Sequence, residues 1–355
     1  MSAERWTPEQ ALDWAQGLPR LSGCNYVPAS AINQIEMWSE ATWDPERIRA
    51  ELRAARKHLG YNALRVYLHD LVWEAEGAAF LDRIDAFLGI ADNEGFTTLF
   101  VIFDDCWHEP RSNPQPAPRP GIHNSGWARS PGRDKVMDRS AWPALERYVR
   151  AVVRRFGRDR RVLGWDIYNE VGNVAMSADR EEAPDYETIL TETVGDAQLE
   201  AALTLCEAAF GWVRAEGPEQ PLTAAVYEES HRLGVDSRII PLSDVVSFHH
   251  YESEASLHAR IHALRAHGRP LMCTEYLNRK TGATFATHLT TFAAQGIPAF
   301  AWGLVDGKTQ TKFSWTDRPK DGAIAEPDPW FHDTLRADLT PYDVREAAVA
   351  KELMS

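Results

Sequence analysis

The sequence predicts an α/β protein built on one closed (β/α)8 barrel, or TIM barrel, with long loops after some strands. Three observations support this fold class. Eight apolar, strand-like segments alternate with helical segments along the 355 residues, which is the rhythm of a parallel sheet. The length is normal for a single barrel with elaborated loops. No glycine-rich phosphate motif follows a strand, which disfavours an open nucleotide-binding sheet.

The first half of the chain supplies four predicted strands and the helices between them. Thr7 is the expected N-cap of a first helix, and Gln10 completes its capping box. Asp44 opens a second helix that ends at Gly60. The predicted strands cover residues 21–27, 63–68, 97–104 and 162–170, and the further helices cover residues 78–93 and 141–156.

The second half continues the same alternation. Its predicted strands cover residues 221–228, 244–251, 270–276 and 297–306, and its helices cover residues 201–215, 256–267 and 283–294. The helical pattern is weakest between the fifth and sixth strands, in EESHRLGVDSRIIPLS. We therefore expect one domain over residues 1–355, with the barrel at about 21–306 and the segment 307–355 packed on it.

Two long irregular segments, 105–139 and 171–200, interrupt the rhythm. Loops this long inside a compact domain usually carry function. A linker between domains is the alternative for the first segment, but the strand–helix rhythm resumes unchanged after it. The two loops could close one end of a binding cleft.

Composition narrows the class of protein. The net charge is −14, with 52 acidic and 38 basic residues, so nucleic acid and anionic membranes are poor candidates for partners. The chain has no apolar run of membrane-spanning length, and its N-terminus lacks a signal-peptide pattern, so a cytoplasmic location is expected. The widely spaced Cys24, Cys106, Cys206 and Cys273 are expected to be reduced thiols. No cofactor is expected.

The 13 tryptophans are numerous, and Trp38, Trp43, Trp107 and Trp127 fall in predicted loops. Indole faces stack on flat apolar ligand surfaces, although core packing is the alternative for each of them.

Polar residues gather at the predicted C-terminal ends of the strands, where barrels of this kind build their ligand sites. They include carboxylates, imidazoles, an arginine and aromatic rings, which together suit a neutral polyhydroxyl ligand. These residues are Asn25, Tyr26, Arg65, Tyr67, Asp104, Asp105, Asn169, Glu170, Glu228, His249, His250, Tyr251, Glu275, Tyr276, Trp302 and Asp306.

Glu170 and Glu275 are the strongest catalytic candidates, because each ends an apolar strand. Hydrolysis of a glycoside needs two carboxyl groups, one to protonate the leaving oxygen and one, in a retaining enzyme, to attack the anomeric carbon. Arg65 beside Glu275 would keep that carboxylate ionised. Asn169 could hold the sugar 2-hydroxyl, and Tyr251 could donate a hydrogen bond to Glu275.

The motifs RVY, NE, HHY, TEY and AWG follow one another in this order on the second, fourth, sixth, seventh and eighth strands. This ordered set resembles the clan A retaining glycoside hydrolases, and most closely their cellulase-type family, over about residues 21–306. The resemblance implies that Glu170 is the acid/base and Glu275 the nucleophile, acting on β-linked sugars. It also implies a binding role for Arg65, His249, Tyr251 and Trp302, with Asn25 as the candidate on the first strand.

The sequence departs from the family pattern at several places. Val171 follows the Asn-Glu pair where the family usually has proline. The family often has histidine at the end of the third strand; here Asp104 or His108 could take that place, next to Trp107. The segment after Asp306 has no assigned counterpart, and its Trp315 and Trp330 could cap the site.

Several functional alternatives stay open. Transglycosylation uses the same covalent intermediate as hydrolysis. A non-catalytic carbohydrate-binding barrel would keep the tryptophans but would not need paired glutamates. A metal-dependent barrel enzyme could use Asp104, His108 and His249. Within the main hypothesis, closure of the cleft by the long loops favours exo-action or short substrates.

Overall fold

Eight parallel strands form a barrel, which confirms the predicted fold class. The structure is a computed structural model that describes residues 4–173, 195–228, 230–320 and 323–354. The strands follow the sheet order β5-β4-β3-β2-β1-β8-β7-β6. Their bounds are β1 Ser22–Asn25, β2 Ala63–Tyr67, β3 Thr97–Asp104, β4 Val162–Asn169, β5 Leu222–Thr223, β6 Val246–His249, β7 Leu271–Tyr276 and β8 Ala299–Ala301.

The barrel closes between β5 and β6, which form no continuous ladder. A single parallel bridge joins Val226 to Phe248, and the Thr223 hydroxyl donates to the Val245 carbonyl at 2.8 Å. These contacts bring the C-terminal ends of all eight strands to one edge.

Helices surround the barrel. In the described residues they are Pro8–Gln16, Gln34–Trp38, Pro45–Leu59, Asp70–Glu76, Ala78–Asn93, Arg133–Met137, Trp142–Phe156, Asp196–Ala215, Val235–Ile239, Glu254–Arg265, Thr290–Gln295 and Val344–Leu353. The predicted caps are present, since Thr7 and Gln10 form the capping box and Gly60 ends its helix with a φ of 72°. Within the part of the chain that is described, no helix is long and apolar enough to cross a membrane.

Some predicted bounds were wrong. Of the strand expected over 221–228 only Leu222–Thr223 forms a strand, and of the one expected over 297–306 only Ala299–Ala301. Residues 224–227 are nevertheless buried. An apolar run therefore predicts burial better than it predicts pairing. The weak region between β5 and β6 holds the short helix Val235–Ile239, and the helix expected over 283–294 begins as a π-helical turn at Phe285–Leu289.

The two long loops differ in what can be described. Most of the second one, residues 174–194, lies outside the described residues. The first one leaves β3, crosses the mouth of the barrel and meets the chain beyond β8. The backbone N–H of Asn124 donates to the Thr309 carbonyl at 2.8 Å, and the Gln310 side chain donates to the Arg119 carbonyl at 2.8 Å.

Together the segments 119–128 and 307–313 form one surface feature, here named the wall. The loop after β1 supports the wall from beneath. The Asn33 side chain donates to the Gly126 carbonyl at 2.8 Å, and the Lys308 amide donates to the Ala29 carbonyl at 3.1 Å. The wall therefore stands over the ends of β1 and β8.

The C-terminal helix Val344–Leu353 packs against the helix Pro45–Leu59. Arg279, in the loop after β7, forms an ion pair with Glu346 at 2.7 Å. The segment beyond residue 306 thus contacts the barrel over much of its described length, while the assignment of the whole chain to one domain stays a prediction.

Candidate active site

Glu170 and Glu275 lie close together at the mouth of the barrel. Glu275 is within β7 and its side chain is 5% exposed, whereas the Glu170 side chain is 12% exposed. Glu170 directly follows β4 and has a φ of 46°, a left-handed conformation that non-glycine residues seldom adopt and that often marks a functional site. A carboxylate oxygen of one residue lies within 4.8 Å of a carboxylate oxygen of the other.

Three side chains donate hydrogen bonds to Glu275. Arg65 Nη1 lies 2.7 Å from Oε1, and the Tyr67 hydroxyl donates to the same oxygen at 2.9 Å. The Tyr251 hydroxyl donates to Oε2 at 2.7 Å. A positive charge and two hydroxyl groups thus surround this carboxylate, an arrangement that complements its negative charge.

Arg65 is fully buried and connects several strands. Its guanidinium donates to Asp166 Oδ2 through both Nε, at 2.9 Å, and Nη2, at 2.8 Å. It also donates to Asn25 Oδ1 at 2.9 Å and to Asn169 Oδ1 at 2.7 Å. The fixed geometry of the guanidinium therefore orients residues from β1, β4 and β7 around one point.

Glu170 is bound on both of its oxygens. His249 Nδ1 lies 2.7 Å from Oε1, the Cys106 thiol lies 3.1 Å from Oε2, and the Asn173 amide also donates to Oε2. Burial raises the pKa of Glu170, but the hydrogen bond and charge of His249, together with the hydrogen bonds from Cys106 and Asn173, outweigh burial, and the pKa is lowered. His249 Nε2 lies 3.4 Å from Glu275 Oε1 without forming a hydrogen bond to it, so this imidazole lies between the two glutamates but is bonded to Glu170.

The Asn169 carboxamide is fixed at both ends. Its oxygen accepts from Arg65, as above, and its nitrogen donates to Asp104 Oδ1 at 2.9 Å. Asp104 also accepts from Trp127 Nε1 at 2.7 Å. Burial raises the pKa of Asp104 to about 7, partly offset by these hydrogen bonds. Of the two candidates at the end of β3, Asp104 thus contacts Asn169.

Aromatic rings line the side of the site next to β8. Trp302 follows β8 and remains 9% exposed; its ring centroid lies 5.4 Å from that of Trp127 and 6.0 Å from that of Tyr67. Trp107 stacks on His123 at 5.6 Å. These rings form an apolar surface of the kind on which a sugar ring stacks.

Two tryptophans of the predicted loops serve the core instead. Trp38 is fully buried and stacks on Trp43 at 5.8 Å. Beyond β8, Trp315 packs against Tyr251 at 5.3 Å and so reaches the site. Trp330 stacks on Tyr342 at 4.5 Å, and its role as a cap of the site stays a prediction.

The neighbouring histidines of β6 separate as a strand requires, since successive side chains point to opposite faces. His249 faces the glutamates, whereas His250 contacts His288 at 3.0 Å and Ser256 at 3.0 Å. His108 pairs through its backbone with Trp127 and Ala128, and its role in binding stays a prediction.

Four residues that contact the site had no individual role assigned from the sequence, although Tyr67 was among the polar residues expected at the strand ends and Trp127 among the loop tryptophans. Tyr67 lies two positions after Arg65, on the same face of β2, so the period of a strand accounts for its place beside Arg65. Asp166 lies at an interior position of β4 and precedes Asn169. Cys106 and Trp127 lie in the loop after β3 and reach the site through the path of that loop, which no sequence pattern reveals.

The sequence also contains possible ligands for a metal ion. In the described residues, one group of three possible ligands comes together, namely Glu170, His249 and Glu275. The expected set of Asp104, His108 and His249 is not brought together. Arg65 already places a cation 2.7 Å from Glu275, which opposes the binding of a second cation there.

Comparison with known proteins identifies a family and several structures of similar fold. A cellulase (glycosyl hydrolase family 5) model matches residues 24–321. No curated protein matches the chain. Among solved structures, GH5_18 from Streptomyces cattleya in complex with GlcNAc is 13% identical with a TM-score of 0.58, and the match covers 94% of this chain and 79% of that one.

Two mannanases are similar to the same extent. The endo-β-1,4-mannanase from Thermotoga petrophila is 12% identical with a TM-score of 0.57, and the match covers 96% of this chain and 77% of that one. The endo-1,4-β-mannanase from Rhizomucor miehei is 13% identical with a TM-score of 0.56, over 94% of this chain and 98% of that one. At these identities the likeness concerns the fold.

Proposed function

The chain belongs to the cellulase family, glycosyl hydrolase family 5, and from this membership we propose that it is a retaining glycoside hydrolase acting on β-linked oligosaccharides or glycosides. In this proposal, Glu275 is the nucleophile and Glu170 is the acid/base. Asn25, Arg65, Asp104, Trp107, His108, Asn169, His249, Tyr251 and Trp302 bind or position the substrate.

The distance between the two glutamates supports the proposal most strongly. Retaining enzymes hold their carboxyl groups about 5–5.5 Å apart, whereas inverting enzymes leave about 6.5–9.5 Å for a water molecule. Carboxylate oxygens of Glu170 and Glu275 lie within 4.8 Å of each other. That spacing lies below the range of inverting enzymes and suits direct attack of a carboxylate on the sugar.

The reaction then has two steps. Glu275 attacks the anomeric carbon, the glycosidic bond breaks, and Glu170 gives its proton to the leaving oxygen. Glu170, now ionised, takes a proton from water, whose oxygen attacks the anomeric carbon and releases Glu275. The lowered pKa of Glu170 means that it holds the first proton only on the acid side of neutrality, so an acid pH optimum is expected.

The wall supports exo-action or short substrates. Because Glu170 protonates the leaving group, the leaving part of the substrate lies on the β4 side. The terminal sugar then lies over Trp302 and faces β1 and β8, where the wall stands. A chain of sugars extending further in that direction would meet the wall.

We expect wild-type protein to hydrolyse at least one member of a panel of nitrophenyl β-glycosides and short β-linked oligosaccharides. Glu275→Ala should lose this activity, and added azide should restore it while forming an α-glycosyl azide. An active Glu275→Ala variant would remove the assigned nucleophile. Loss of wild-type activity in EDTA would instead favour the metal-dependent alternative, and silence of the wild type on every substrate would favour a binding role.

A further inference from the structure

A small cavity adjoins the aromatic side of the site. Its volume is about 20 Å³. The residues that line it include Asn25 at the end of β1, Trp302 after β8, and two residues of the wall, Asn124 and Trp127. A cavity of this size holds about one water molecule or one hydroxyl group. It adjoins two residues that the proposed function assigns to the substrate, Asn25 and Trp302.

Asn124 is the unusual residue of this cavity. It is 1% exposed, yet neither its side-chain oxygen nor its side-chain nitrogen has a hydrogen-bond partner. Buried carboxamides without partners are rare, because each unpaired polar atom costs free energy. The backbone around it is firmly held, since its amide donates to the Thr309 carbonyl at 2.8 Å and its carbonyl accepts from the Trp127 amide at 3.0 Å.

The backbone of Asn124 also fits a fixed role. Its φ is 46°, in the left-handed region, which asparagine tolerates better than most residues. The side chain thus projects from a rigid turn. The backbone cannot move to bring the carboxamide to another hydrogen-bond partner in the protein.

The chemistry of the cavity defines its ligand. All of its lining residues are uncharged, which disfavours a carboxylate, sulfate or ammonium group. The carboxamide of asparagine has an acceptor, its oxygen, next to a donor, its NH2 group. A hydroxyl group can donate to the first and accept from the second. The volume admits a hydroxyl or a hydroxymethyl group and is too small for an acetamido group or a further sugar.

We propose that Asn124 determines specificity for the terminal sugar, by binding a hydroxyl group that projects into this cavity from the ring end remote from the anomeric carbon. The remote end is indicated because Asn169, beside the catalytic pair, is placed for the 2-hydroxyl. The cavity instead lies beside Trp302 toward β1 and the wall, where the 4-hydroxyl or 6-hydroxyl of the same sugar points. This inference rests on the proposed function.

The test compares the preferred nitrophenyl β-glycoside with its 4-deoxy and 6-deoxy analogues. One analogue should lose about ten- to a hundredfold in kcat/KM with wild-type protein, because it leaves Asn124 unpaired. Asn124→Gly removes the side chain but keeps a residue that suits a positive φ. This variant should be weakened on the parent glycoside and should no longer distinguish it from that analogue. Asn124→Asp, which loses the amide donor, should show an intermediate discrimination.

Ser125→Ala is the matched control. Ser125 is adjacent in the chain and its hydroxyl accepts from the Arg119 amide at 2.8 Å, but it does not line the cavity. The control should discriminate between the analogues as wild type does. Equal losses by Asn124→Gly on the parent and on both deoxy analogues, or wild-type indifference to both deoxy positions, would overturn the proposal and leave Asn124 with an ordered water only.

Calorimetric binding of the same three glycosides to Glu275→Ala, with and without Asn124→Gly, separates this inference from the proposed function. If wild type hydrolyses nothing, the proposed function fails. The role of Asn124 would still be supported if the parent glycoside bound more tightly than one deoxy analogue and Asn124→Gly removed this difference. Equal binding of all three glycosides to the protein with Asn124 would refute it.

Discussion

His249 contacts both glutamates and is the side chain that most affects the proton affinity of Glu170. Burial raises the pKa of Glu170, while the hydrogen bond and charge of His249 lower it, with a lowered pKa as the result. In the proposed reaction Glu170 must be protonated in the first step. Its lowered pKa means that it loses this proton at a lower pH, so the alkaline limb of the pH profile is expected on the acid side of neutrality.

Replacing His249 by glutamine should therefore raise the pKa of Glu170. We expect the alkaline limb of kcat/KM for a nitrophenyl β-glycoside to move to higher pH in His249→Gln, together with a lower maximal rate. A dinitrophenyl glycoside, whose leaving group needs no proton, should show little of this shift.

His250→Gln is the control for this prediction, because His250 is the adjacent histidine and faces His288 and Ser256. It should leave the pH profile unchanged. An unmoved limb in His249→Gln, or a move to lower pH, would mean that His249 does not set the charge state of Glu170.

Residues of the site differ in how far sequence could predict them. Arg65, Asn169, Glu170, His249, Tyr251, Glu275 and Trp302 lie on strands or directly after them, where strand period and strand order fix the position of a side chain. Cys106, Asn124 and Trp127 lie within a long loop. Their positions depend on contacts such as that of Asn124 with Thr309, almost two hundred positions away, and no local pattern encodes such a contact.

At the scale of elements, the helices were predicted more accurately than the short strands. Pro45–Leu59 and Ala78–Asn93 have the expected bounds, because capping residues and glycines mark helix ends in the sequence. β5 and β8 are shorter than their apolar runs, because apolar side chains there pack into the core after the backbone has left the ladder. Short helices such as Gln34–Trp38 and Asp70–Glu76 were missed because one or two turns are too few to show a repeating apolar pattern.

The wall is the element on which the proposed specificity depends, and at Gly307 its backbone closely approaches the loop after β1. A Cβ at this position would lie 2.5 Å from Ala29 Cα and 2.7 Å from Ala29 O, distances that neither backbone can accept without moving. Gly307→Ala should therefore cost about 1–3 kcal/mol in the free energy of unfolding, measured by urea denaturation.

Gly211 offers a matched control in the helix Asp196–Ala215. A Cβ there would meet nothing within 4 Å, so Gly211→Ala should stabilise the protein by about 0.5–1 kcal/mol. If Gly307→Ala were as well tolerated as Gly211→Ala, the contact of the wall with the loop after β1 would be looser than the structure indicates.

At the scale of the whole molecule, the barrel brings eight strand ends to one edge, and the wall then makes that edge asymmetric. In the proposed reaction, the catalytic pair lies between the β4 side, which would receive the leaving group, and the β1 and β8 side, which would receive the terminal sugar. The wall covers the β1 and β8 side. The proposed exo-action depends on this cover alone, and the shape of the cleft on the β4 side does not affect it.

Exo-action predicts a definite product pattern. With β-linked oligosaccharides labelled at the reducing end, wild-type protein should release one sugar at a time from the non-reducing end, so that the labelled products shorten by a single residue. Gly307→Ala, which displaces the wall from Ala29, should add internal cleavage products at early times, whereas Gly211→Ala should retain the wild-type pattern. Early internal cleavage by the wild type would show that sugar chains pass the wall, because a chain cut in its interior must extend on both sides of the catalytic pair.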